Sequence, residues 1–158
     1  MTGEIAMNSE IKNYYNDIIK MCEVYISLKS RCEMDSPATE QEISEWENKI
    51  GNPLPSDYKE WLGMTKHLRI DGGFLELFPP VGTIGDEKIC VGSVIGDGDD
   101  YYFHFRNNQF YREFDGEIEF FDSFTDLLDD FYRELEMRAD SKYGDKWLKV
   151  YDELFPDE

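Results

Sequence analysis

No stretch of this sequence stays apolar for the ~20 residues that a bilayer-crossing helix needs. Its start, MTGEIAMNSE, also lacks the basic segment and apolar run of a secretory leader. Both absences point to a cytoplasmic protein without a membrane partner. Cysteine is scarce: Cys22, Cys32 and Cys90 make three, and no pair stands at a CxxC spacing. An odd, scattered set argues against a disulfide framework and fits a reducing compartment. Only His67 and His104 offer imidazoles, and neither a G-x-S-x-G nor an H-E-x-x-H accompanies them. His104, in an aromatic strand, reads as a sheet-face residue, and no catalytic residue is expected. Gly92, Gly96 and Gly98 do not spell G-x-G-x-x-G, so no dinucleotide cofactor is expected either.

Basic residues are the deepest deficit. Sixteen Lys and Arg stand against 35 Asp and Glu, a formal net charge of -19. Recognition of phosphate backbones depends on Lys and Arg, so nucleic acid is excluded as an expected partner. Such a field instead favours encounter with a basic protein surface, and it also serves solubility.

What the chain does have is enough for one ordinary domain: 158 residues, 41% of them hydrophobic, expected to fold as a unit over 1–158. Ser9 is a fitting N-cap for a first helix to about Arg31, whose apolar positions Ile11, Tyr14, Tyr15, Ile18, Met21, Cys22, Tyr25 and Ile26 recur every three or four residues. Residues 33–38 read as a connector. Thr39 and Glu42 then form a capping box for a helix to Ile50, stopped by Gly51 and by Pro53 and Pro55. A further helix starts at Pro55 or Ser56 and carries Tyr58, Trp61 and Leu62, with Leu54 filling the corner and Asp57 near the helix start. The diglycine Gly72-Gly73 reads as a tight turn that starts the sheet.

The arrangement Ile43-x-x-x-Glu47-x-x-Ile50-Gly51-x-x-Leu54-Pro55-x-Asp57-Tyr58-x-x-Trp61-Leu62, followed by a diglycine, resembles the signature of the SUKH superfamily. That family includes bacterial toxin-immunity proteins and a fungal regulator of cell-wall glucan synthesis. Here Asp71-Gly72-Gly73 follows a longer spacer than the family's usual Asn-Gly-Gly. The resemblance implies an α+β fold and a non-catalytic role in binding other proteins.

Downstream, Phe74 to Phe78 reads as a strand ended by Pro79-Pro80, and Lys88 to Ile95 as the next. An acidic turn leads to Tyr101 through Arg106, Asn107-Asn108 to Phe110 through Phe114, and Asp115-Gly116 to Glu117 through Phe120. A Ser123-capped helix with Phe124, Leu127, Leu128, Phe131 and Leu135 inward follows, then a terminal helix around Trp147 to Phe155. The expected class is α+β: a mainly antiparallel sheet of roughly 4–6 strands with helices packed on it, in the order α-α-α, β-meander, α-α.

The acidic turn Asp97-Gly98-Asp99-Asp100 has a composition that suits a hard cation. It is not an EF-hand, because Tyr102 takes the place of the loop glycine and Asn108 that of the bidentate glutamate. A solvated hairpin is the preferred reading, with no metal. The expected function is an immunity protein that binds and neutralises a cognate, basic toxin domain, with a regulatory module of the glucan-synthesis type as the alternative. Partner contacts are expected at Asp97, Asp99, Asp100, Tyr101 and Tyr102, with Glu113, Asp115, Glu117 and Glu119 as an acidic rim.

Overall fold

The computed structural model describes residues 2–94 and 98–156, with side chains of the first helix from residue 10 onward. The proline corner sets its geometry. Helix α2 (Glu40–Ile50) opens on the expected capping box: the Glu42 amide donates to the Thr39 hydroxyl and the Thr39 amide to the Glu42 carboxylate, each at 3.0 Å. It closes on Gly51 with φ 81°, the left-handed geometry that glycine adopts without a Cβ penalty. The Leu54 amide, freed by the break, donates to the Glu47 carboxylate at 2.7 Å. Leu54 is buried at the corner, and α3 (Ser56–Leu62) buries Tyr58, Trp61 and Leu62 behind it.

Helix α1 (Thr2–Ser27) runs against this corner and against the last two helices. It differs from expectation at both ends. Glu4, Ala6 and Met7 are good helix formers that carry it back past Ser9, which lies inside it. It stops short of Arg31 because Lys29 adopts φ 71°. Ile11, Ile18, Met21, Cys22 and Tyr25 face inward as read, but Ile26 points to solvent and Val24 takes its place.

Among the described residues, seven strands form one antiparallel meander whose spatial order is the chain order. Two short strands were not anticipated: β1 (Cys32–Met34), which overlaps the start of the supposed connector, and β2 (Leu68–Ile70). Three residues carry no periodicity of their own; they become strands because a neighbour offers a ladder. The sheet therefore starts two strands before the diglycine, which joins β2 to β3 (Leu75–Val81) through a 3-10 turn with Gly72 at φ 72° and Gly73 at φ 105°. Asp71 fastens that turn to the far side of the molecule, accepting hydrogen bonds from Arg138 at 3.0 Å and Lys142 at 2.6 Å.

Strand β3 also runs through Pro79-Pro80 rather than ending there. Its register with β4 (Lys88–Val94) shifts between Leu77 and Val81, an irregularity where the missing proline amides break no regular ladder. In β4, Gly92 lets the strands close up, since a Cβ there would stand 2.7 Å from the Glu76 carbonyl. Strands β5 (Asp99–His104), β6 (Gln109–Phe114) and β7 (Glu117–Phe121) complete the sheet.

Helix α4 (Phe124–Tyr143) covers one face. Its Ser123 hydroxyl accepts from the Asp126 amide at 3.2 Å. Asp57, 67 residues earlier, accepts from the Phe124 amide at 2.8 Å, so the proline corner caps the helix that closes the core. The aromatic centre sits at this meeting point, with the Phe124 ring 5.2 Å from Tyr58 and 5.1 Å from Phe110. Helix α5 (Lys146–Leu154) ends the fold, its Trp147 indole donating to Asp140 at 2.7 Å. Among the described residues, no helix is long and apolar enough to cross a membrane.

Candidate functional site

Alternation along the strands divides the sheet's side chains between two faces, on which rows can be followed from strand to strand. On the helix-covered face, one row passes through Met34, Leu68, Leu77, Gly92 and Tyr101 to Arg112 and Glu119. Its neighbour on the open face reads Glu33, Arg69, Glu76, Ser93, Asp100, Glu113 and Ile118. Next to it, Cys90, Tyr102, Tyr111 and Phe120 stand side by side on β4 to β7.

The residues expected to meet a partner are therefore separated. Asp97 lies outside the described residues. Tyr101 is fully buried, its ring near Phe121 and Phe131 and its hydroxyl donating to Asp130 at 2.7 Å. It is a core residue, not a surface anchor, because its parity in β5 points it under α4. Asp99 is buried too and pairs with Arg112. Asp100, Tyr102 and Glu113 do share the open face. Asp115 sits in the β6–β7 turn at φ 50°, followed by Gly116 at φ 86°, the paired left-handed geometry of a type I′ turn. Glu117 and Glu119 lie on the other side of β7, at the rim of the helix-covered face.

The open face carries an aromatic strip. Tyr102 and Tyr111 stack at 5.3 Å with an interplanar angle of 28°, and Tyr111 lies 5.8 Å from Phe120. Lys88 stands 4.2 Å above the Tyr102 ring and 3.7 Å from Glu113, placing its one positive charge between π-face and carboxylate. Burial and the nearby Asp100 carboxylate push the Tyr102 phenol up to about 12, so it stays a neutral donor. The Cys90 thiol is pushed up to about 11, chiefly by burial, and stays unionised near neutrality. Val81, His104 and Ile118 join Lys88, Cys90, Tyr102, Tyr111 and Glu113 around a shallow concavity of about 690 Å³, and Phe120 lies outside it. Val81, Ile118 and Phe120 are each more than half exposed, while Tyr111 beneath them is almost covered. Tyr111, Ile118, Phe120 and Lys88 were not among the residues expected here; the period-two pattern could have found them once the covered face was known.

A second cleft, about 440 Å³, lies around Arg112 under the β7 rim. The guanidinium donates to Asp130 at 2.8 Å and Glu134 at 2.7 Å as well as to Asp99. Burial works against its charge, but hydrogen bonds to Glu134 and Asp99 outweigh this and hold its pKa above the ordinary value. Both imidazoles have carboxylate neighbours. His67 meets Glu76 at 2.5 Å, a carboxylate that also reaches Arg69 at 3.4 Å, and His104 lies 3.8 Å from Glu87.

The comparison with protein families places residues 37–130, more than half of the chain, in the SMI1 / KNR4 family (SUKH-1). That span runs from the α2 cap through the whole β2–β7 meander into α4. No curated protein matches the chain.

Proposed function

Because the chain belongs to the SMI1 / KNR4 family (SUKH-1), we propose that it is a non-catalytic protein-binding domain acting as an immunity protein in the cytoplasm. It binds a basic toxin domain and blocks it by occupying the toxin's functional surface. The observation that carries this reading is the open sheet face, where Tyr102, Tyr111 and Phe120 form a rigid aromatic strip beside Asp100 and Glu113. Interfaces draw most of their affinity from aromatic anchors that become desolvated, while charge sets encounter rate and register. The net charge of -19 steers a basic partner to the molecule, and the strip receives its apolar contacts.

The test starts from the gene next to this one. If it encodes a large protein with a C-terminal toxic domain, that domain is purified and titrated against the full chain. The reading predicts a complex with a dissociation constant on the order of nanomolar and association that slows as salt rises. A toxic domain that is not bound, or turnover of a small substrate by the chain alone, contradicts it.

A further inference from the structure

Strand β7 is the outermost strand of the sheet, paired with β6 on one side and, among the described residues, with no strand on the other. The opposite edge is blunted by shortness, since β1 has three residues. Strand β7 has five, and Glu117, Ile118, Glu119 and Phe120 are all exposed. The two-residue Asp115-Gly116 turn fixes its register: Phe114 and Glu117 flank the turn and exchange both hydrogen bonds, as do Arg112 and Glu119 one step on. The amides and carbonyls of Ile118 and Phe120 therefore point away from β6, to the open edge. An unblocked edge of this kind is a template for another strand.

We infer that β7 receives an extended segment of the partner protein as an added strand, and that this segment alternates basic with apolar residues. The inference rests on the protein-binding reading above and names its surface. Residues opposite Ile118 and Phe120 lie on the open face, where an apolar side chain extends the Tyr102, Tyr111 and Phe120 strip. Residues opposite Glu117 and Glu119 lie over the Arg112 cleft, which Asp99, Asp130 and Glu134 also line. Among the described residues lining this cleft, five carboxylates face one guanidinium. Asp99 is more than nine-tenths buried, and among the described residues its Oδ1 has no hydrogen-bond partner. A lysine or arginine entering from the added strand supplies the missing positive charge.

A second copy of the chain is the poorer occupant. Antiparallel pairing of two β7 strands with their faces in line sets glutamate opposite glutamate, because Glu117 and Glu119 share one parity. Like charges directly opposite one another destabilise a ladder, and two chains of formal charge -19 repel besides.

The probe is a synthetic eight-residue peptide alternating lysine with valine or threonine, added to the isotopically labelled full chain while amide exchange is followed by NMR. Bound peptide is expected to slow exchange of the Ile118 and Phe120 amides by about tenfold or more. Ile118→Pro removes one outward amide at a position where proline breaks no bond to β6, and Glu119→Lys reverses a rim charge. Each is expected to weaken peptide binding by about tenfold or more, a loss of about 1.4 kcal/mol. Absent binding, unprotected amides, equal binding by both variants, or equal capture of an alternating glutamate peptide overturns the inference. So does protection that grows with protein concentration alone, since that means self-pairing. If the toxic domain binds while these amides exchange freely, the edge is wrong and the immunity reading stands. If the peptide is captured and the toxic domain is not, the reverse holds.

Discussion

Tyr101 and Tyr102 are neighbours in β5, yet one belongs to the folding core and the other to a surface strip. The same division runs through β6 and β7. Under α4, Tyr101, Phe103 and Phe110 are buried among Phe121, Phe124 and Phe131. On the open face, Tyr102 and Phe120 flank Tyr111, which they help to cover, and Phe120 stays half exposed to solvent. The two faces use the same residue types and neighbouring backbone positions. What separates them is a helix on one side and, among the described residues, none on the other, so the covered face supplies stability and the open face is the one proposed for a partner.

The sharpest way to break this comparison is to truncate on the covered side. Tyr101→Ala removes a fully buried ring and leaves Asp130 without its phenol donor. A loss of about 3–5 kcal/mol is expected in urea unfolding. A loss below about 1 kcal/mol means the covered face does not carry the stability assigned to it.

Arg112→Ala tests the rim where the two faces meet. It leaves Asp99, Asp130 and Glu134 together without the guanidinium. The expected cost is about 2–4 kcal/mol, because removing one partner of a buried ion network strands the others. Equal stability of variant and parent in denaturant means solvent already screens the cleft.

A smaller effect is expected at the diglycine turn, far from both tyrosines. Burial alone would raise the Asp71 carboxyl, but hydrogen bonds from Lys142 and Arg138 outweigh it and hold Asp71 below its usual value. A depressed folded value means that the stabilisation is complete above the unfolded value, near about pH 4. It is lost as pH falls through the folded value. Asp71→Asn is expected to cost roughly 1–2 kcal/mol at neutral pH and to flatten the acid limb of stability against pH. An unchanged acid limb contradicts the pairing.

Much of the fold was legible in the sequence because its signals are local. The Thr39 and Glu42 box, the Gly51 stop, the proline corner and the Ser123 cap each act within a few residues, and each stands where it was read. Asp57 was legible only as a helix-start residue. Its bond to the Phe124 amide joins segments 67 residues apart, which no local pattern reveals. The short strands β1 and β2 escaped for the same reason. The geometry of the candidate surface was half legible: Asp100, Tyr102 and Glu113 fall on the open face, but alternation fixes two faces without saying which one α4 covers. Tyr101 and Asp99 were read outward for lack of that fact, and Phe120, Ile118 and Tyr111 were missed with it.

The most direct test of the division between faces is Phe120→Asp, measured twice on one preparation: urea unfolding of the free chain, and titration with the neighbouring toxic domain. Phe120 is 52% exposed, and its ring contacts Tyr111 on the open face. The account predicts a change in stability within about 0.5 kcal/mol and a loss of affinity of about a hundredfold, the scale of an interface hot spot. A folded variant that binds as tightly as the parent contradicts it.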